Sequence, residues 1–196
     1  MRVALTVLAL LVTTNAVAGG VGLLATGGLY NERVYFYDKS DNYRQYQQTQ
    51  TIGTMGTGLE LTLGDRDDRV NGIARAYWQL ETPQSDPANL TGLVDPGNVV
   101  AAYREEARHI GIFTVGMQIM LLGSPDKFSL NLVGTAGSGF LTEDHTEFLM
   151  LELGTGANYR IARNLELNVT AQAHLRYRKW TRMGVTSYAG MRVLFD

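Results

Sequence analysis

From Leu165 to Arg178, apolar and polar residues alternate for fourteen positions without a slip. Leu165, Leu167, Val169, Ala171, Ala173, Leu175 and Tyr177 share one parity, while Glu166, Asn168, Thr170, Gln172, His174, Arg176 and Arg178 share the other. Successive side chains of an extended strand point to opposite sides, so a period of two marks a strand whose faces meet different surroundings. The strands of ordinary sheets average only about 5–6 residues. Any fold for this chain must therefore give a very long ribbon one greasy and one wet neighbour along its whole length.

The same alternation recurs between short clusters rich in Gly, Asp, Asn, Ser and Pro, and it delimits eight strands. They span about 21–37, 48–63, 70–81, a fourth that ends at Leu122, 128–141, a sixth around 149–160, a seventh from Leu165, and 183–195. In the first, Leu23, Ala25, Gly27 and Leu29 share a face, but Val34 and Phe36 have the opposite parity. That slip predicts a bulge near Asn31-Glu32-Arg33. The connections alternate in character: 64–69, 123–127 and 161–164 are short, whereas 38–47, 82–107 and 142–147 are generally longer and more polar. Within 82–107, the run VVAAYREEAR after Asn98 suits either a capped helix or the projecting base of the fourth strand, and the sequence leaves both open.

Two further features bear on which face points outward. The chain opens with Arg2, an apolar run from Val3 to Val12, and Ala16-Val17-Ala18 as a small-x-small cleavage site. This reads as a secretory leader over 1–18, cut after Ala18, followed by a single domain over 19–196. No later segment reaches eighteen consecutive apolar residues, so a bilayer-resident mature chain would have to cross as a closed barrel. The second feature is aromatic placement. Phe128 and Phe140 bracket the fifth strand twelve residues apart, which at a tilt near 40° projects to roughly 30 Å, the spacing of two interfacial girdles. Trp78, Tyr177 and Trp180 fall near outer strand ends, and Tyr159 and Phe195 near inner ends. The expected fold is all-β: an eight-stranded antiparallel up-and-down transmembrane β-barrel after a cleaved signal peptide. A secreted soluble lipid-binding barrel would reverse the faces and more often place these rings mid-strand.

The C-terminal stretch YAGMRVLF, followed by Asp196, resembles the signal by which bacterial outer-membrane barrels are recognised for assembly: Gly190, then Val193 and Phe195 at alternating positions. In that family the aromatic is usually the final residue, and Asp196 departs from the pattern by one position. With the leader, the long strands and the unequal loops, nearly the whole mature chain resembles the small eight-stranded outer-membrane barrels typified by the transmembrane domain of outer membrane protein A and by outer membrane protein X. The resemblance is one of pattern, without a site motif. It implies residence in the bacterial outer membrane, contact with outer-membrane lipid and lipopolysaccharide, and engagement of the barrel assembly machinery through the C-terminal strand.

The interior of an eight-stranded barrel is just wide enough for side chains to fill, and an isolated buried charge costs several kcal/mol. Glu60, Glu152 and Glu166 are therefore expected to pair with Arg75, Arg176 and Arg192 as a plug, and His174 to bond a carboxylate. Gly56, Gly58, Gly137, Gly139, Gly154 and Gly156 lie on the same face. They either make room for long Arg and Tyr side chains or relieve curvature.

Little else suggests chemistry. Cysteine is absent, which removes thiolate and disulfide chemistry. A net charge of -2 with 18% charged residues does not suit nucleic-acid binding. The three histidines lack metal-ligand spacing, and none begins the His-x-Ser pair of the lipid A deacylase barrels. No metal, cofactor or enzymatic activity is expected. The expected function is a non-enzymatic barrel that acts through its outer loops, with 82–107 as a surface for a protein partner in a structural, adhesion or assembly role. The alternatives are a narrow channel for small apolar solutes, as in the outer membrane protein W group, which calls for an apolar upper lumen or a lateral opening, and a lipid-modifying barrel enzyme.

Overall fold

The computed structural model describes residues 19–64, 68–86, 96–101, 103–141, 147–178 and 181–195. The expected leader 1–18, Trp180 and Asp196 lie outside the described residues. The strands are β1 (Gly19–Asp38), β2 (Arg44–Leu63), β3 (Val70–Glu81), β4 (Val99–Ala101), β5 (Arg108–Ser124), β6 (Phe128–Leu141), β7 (Glu147–Ala162), β8 (Leu165–Tyr177) and β9 (Thr181–Phe195). Eight of them pair antiparallel in the order β2-β3-β5-β6-β7-β8-β9-β1, and β1 also pairs with β2, so the sheet closes into a ring. The three-residue β4 follows a single 3-10 turn at Pro96–Asn98 and adds to β1 at Phe36–Asp38. Of the two forms open to the run after Asn98, it begins as this short strand.

The wall has its polar side inward. Glu60, Arg75, Gln172, His174 and Arg176 are enclosed, whereas Leu23, Leu59, Leu153 and Met183 are each more than half exposed. Water outside would favour the reverse distribution; hydrocarbon outside explains this one, and closure leaves no unpaired sheet edge within it. The chain is a transmembrane β-barrel. Phe128, Tyr159 and Phe195 face outward near the short-turn end, and Trp78, Phe140 and Tyr177 face outward near the long-loop end. Phe128 and Tyr159 are direct cross-strand partners. At the other rim the Phe140 ring covers Gly111, and the Trp78 indole donates to Nδ1 of His109 at 3.1 Å.

The first hairpin departs from expectation in two ways. β1 and β2 pair without interruption from Gly19↔Leu63 to Asp38↔Arg44, so there is no bulge at Asn31-Glu32-Arg33. The 38–47 connection shrinks to a turn over 39–43, in which Asn42 and Tyr43 take positive φ and Ser40 donates from its backbone and hydroxyl to Asp38. Register shifts occur instead near the short-turn rim, at Met120/Leu122 and Arg160/Ala162.

The parity of Val34 and Phe36 has a different cause. Pairing of β1 with β9 stops at Tyr30↔Gly184, and pairing of β2 with β3 stops at Thr54↔Glu81. The hairpin beyond those points stands proud of the ring. Below Tyr30 the outward residues are Leu23, Ala25 and Leu29; above it they are Asn31 and Arg33, then Tyr35 and Tyr37, beside outward Thr51, Thr49 and Gln47 of β2, while Val34 and Phe36 are buried inside. One continuous strand thus exchanges apolar-out for polar-out. A change of outer surroundings from lipid to water near Leu29 and Asn31 accounts for that exchange.

The inward glycines are not all equivalent to space for long side chains. A methyl added at Gly56, Gly137 or Gly154 would run into the carbonyl oxygen of Trp78, Phe113 or Ala171 on the adjacent strand, whereas at Gly58 it would meet Tyr77 as well as the Ala76 carbonyl, and at Gly139 the Phe148 ring. Both proposed roles therefore occur, at different positions. Backbone cannot step aside as a side-chain tip can. Gly154→Ala is expected to lower stability by roughly 1–3 kcal/mol, as overpacking does. Outward-facing Gly134, where an added methyl keeps 3.6 Å from Leu153, should tolerate alanine within about 0.5 kcal/mol. Denaturant unfolding in lipid vesicles measures both, and equal losses would contradict the distinction.

Candidate functional site

The lumen is occupied in three tiers. Nearest the short turns, Glu60 of β2 faces Arg75 of β3 across one register step, and the two bond at 2.7 Å. The same carboxylate takes Arg192 at 2.6 Å and the Asn168 amide at 2.6 Å. Arg192 also meets its cross-strand neighbour Glu166 at 2.9 Å. Arg75 donates further to Gln172 and lies 4.2 Å from the centre of the Tyr188 ring. Short range and enclosure make each of these charge-assisted contacts strong, and costly to leave half made.

The middle tier is mainly apolar and aromatic: Leu24, Tyr77, Ile112, Phe148, Met150 and Tyr188 pack together. Its one carboxylate, Glu152, accepts from the hydroxyls of Tyr188 at 2.5 Å and Thr135 at 2.7 Å, and Tyr188 in turn lies 2.9 Å from Tyr77. Glu152 is thus held by hydroxyls rather than by the arginine expected from the sequence.

The upper tier was not expected from the sequence. Glu81 at the end of β3 binds Arg108 at 2.5 Å and Arg176 at 2.9 Å. Arg176 also donates to Gln79 at 2.8 Å and stacks 4.7 Å from the Tyr30 ring. Arg182 reaches Glu32 at 2.6 Å. Arg176 is therefore in the lumen but belongs to Glu81, not to Glu60, Glu152 or Glu166. His174 bonds the Thr186 hydroxyl at 2.9 Å in place of a carboxylate. Ser138 and Ser187 are exposed on the outer face while His174 is buried on the inner one, so His174 does not form a nucleophile–base pair with either. Among the described residues no three His, Cys, Asp or Glu side chains gather as metal ligands.

Above this tier, residues of the 82–107 connection are stitched to the first hairpin. Gln50 exchanges two bonds with the backbone of Ser85, at 2.9 and 2.7 Å. Gln84 accepts from the Arg104 amide at 2.8 Å and donates to Glu32 at 2.8 Å. Arg104 returns a bond to the Thr82 carbonyl at 2.8 Å. The connection leaves β3 beside β2 and meets the opposite edge of β1 at β4. Val34, Phe36 and Ile52 are buried on the hairpin's inner face. The described residues at the two ends of the connection are thus tied to the hairpin and to each other at the long-loop end.

In the C-terminal strand, Gly190 lies inward, where a methyl would strike Asn168 and the Leu23 carbonyl, and Val193 and Phe195 face outward.

No protein-family model matches the chain, and no curated protein sequence does. Similar solved structures include Neisserial surface protein A, at 12% identity over 91% of this chain and 99% of that one with a TM-score of 0.48. The attachment invasion locus protein of Yersinia pestis is 14% identical over 90% and 99%, with a TM-score of 0.40. The outer membrane protease OmpT of Escherichia coli is 10% identical over 93% and 98%, with a TM-score of 0.34. Identities this low bear on no activity, and the barrel's description rests on its own register and burial.

Proposed function

We propose that this chain is an exported, non-enzymatic barrel of the bacterial outer membrane whose lumen is closed and whose work is done at the long-loop end, in a structural, adhesion or assembly role. Residues 1–18 serve as the cleaved leader, the Gly190, Val193 and Phe195 pattern engages the assembly machinery, and the outward belt contacts membrane lipid and lipopolysaccharide. The 82–107 connection is the surface offered to a protein partner. The observation that carries this reading is the interlocking of the lumen: Glu60 and Glu81 each clamp two arginines from different strands, with an apolar tier between them.

An ion entering such a lumen would have to displace paired charges in a poorly hydrated space. Purified mature protein in a planar bilayer is expected to give no steady open-channel current across the range in which a porin conducts. Stable unitary steps would overturn the closed-lumen reading.

One observation favours a second reading, a conduit for small apolar solutes. Between the two charged tiers the lumen holds Ile110, Ile112, Phe148 and Met150, all buried, with Ile52 buried above the ring, an apolar stretch of the kind a conduit calls for. Accelerated entry of a small apolar dye into barrel-containing vesicles, without ionic current, would select the conduit over the closed barrel.

A further inference from the structure

We propose that the outer wall carries a site for one phosphate-bearing lipid, its acyl tail lying in a groove that winds from mid-wall on β5 to the long-loop rim on β9. The groove, a trough open along its outer side, holds about 610 Å³ and is almost wholly apolar, within the roughly 300–1,000 Å³ of small-molecule sites. It follows one register row: Gly116 faces Thr135, Thr135 faces Glu152, Glu152 faces His174, and His174 faces Gly184. The backbones of that row form the floor. Outward side chains on either side, Met117 and Leu153 along one and Leu151, Leu175 and Met183 along the other, form the banks.

Strand stagger gives the groove its direction. Gly116 lies eight residues from the upper end of β5, whereas Gly184 lies three from the upper end of β9. Five strands at roughly 4.8 Å spacing make it about 19 Å long, and a row running across strands tilted near 40° gains about 12 Å of depth over that length, most of the roughly 15 Å depth of one leaflet's hydrocarbon. A tail lying there would run from the interface to the bilayer centre. At the upper end β8 finishes at outward Tyr177, and the exposed Arg178 follows it in the bend, three residues beyond Leu175. An aromatic ring and a guanidinium at the interface suit the glycerol region and phosphate of a lipid head. The bank residues are too small to fill the trough themselves: Gly134 and Ala173 leave its lower side open.

The inference rests on the wall lying in a bilayer and not on the closed lumen, so the conductance result leaves it untouched. The test is native mass spectrometry of full mature protein released from nanodiscs of phosphatidylglycerol mixed with phosphatidylcholine. One phosphatidylglycerol per barrel is expected to survive activation that strips other lipid. Gly134→Leu, at a position that accepts a side chain, should cut that retained fraction at least fivefold, and Ala173→Leu should do the same if the first variant folds poorly. Heat-modifiable gel mobility checks folding. Arg178→Gln should keep a retained lipid but erase the preference for phosphatidylglycerol. Retention equal in wild type and both filled variants, no retention by wild type, or a preference unchanged by Arg178→Gln would overturn the site.

Discussion

Replacing Glu60 by Gln is expected to lower the unfolding free energy of the barrel by about 3–5 kcal/mol, the loss typical of removing one partner from a buried ion pair. Glu60 is 1% exposed and is bonded to Arg75, Arg192 and Asn168. Without its charge Arg75, itself enclosed, keeps only Gln172 and the Tyr188 ring. Glu166→Gln is the matched control. Its arginine partner retains Glu60, so its loss should stay near 1 kcal/mol. Glu60→Gln combined with Arg75→Leu should be less damaging than the sum of the single changes, because the orphaned cation is gone. Urea unfolding in vesicles, followed by gel mobility, measures all of these. A Glu60→Gln variant within 1 kcal/mol of wild type would mean that the lower tier is hydrated and does not hold the wall.

The stretch from Leu165 to Tyr177 shows how much of this fold was legible. Its alternation fixed strand type, length and the two faces, and β8 buries every second residue as that pattern requires. The tip of β1 shows where the same rule fails. If apolar residues always share the outer face, alternation predicts a bulge before Val34 and Phe36. The strand instead leaves the bilayer, and the polar face becomes the one that meets solvent. An unbroken parity exchange carries two readings, a bulge or a change of solvent, and only pairing with β2 separates them. The exchange of Leu29 for Asn31 and Arg33 on one parity was the available signal.

The lumen divides in the same way. That Glu60, Arg75, Glu152, Glu166, Arg176 and Arg192 point inward follows from parity, and each is buried. Which acid meets which base does not follow, because barrel stagger sets the heights at which distant strands face one another. Arg176 meets Glu81 across 95 residues of sequence and Arg192 meets Glu60 across 132. Glu81 and Arg108 also sit at strand ends, where the sequence gives the least certain boundary between wall and loop. That cost the whole upper tier.

Orientation is tested most directly by placing one charge at two heights on one face of β2. Leu59 points outward at mid-wall between Leu23 and Ala76, more than half exposed. Thr49 points outward on the same strand ten residues higher, where the hairpin has left the ring, about 34 Å away along the strand. Leu59→Arg is expected to cost about 2–4 kcal/mol, the penalty for a guanidinium at the bilayer midplane of a barrel. Thr49→Arg should change stability by no more than about 0.5 kcal/mol, as an exposed substitution in water does. Both variants add the same side chain to the same parity of the same strand, so local strand propensity largely cancels. The difference between them reports the surroundings alone. Equal and small losses would mean that water bathes the mid-wall, and an apolar belt of this extent would then need protein rather than lipid to cover it.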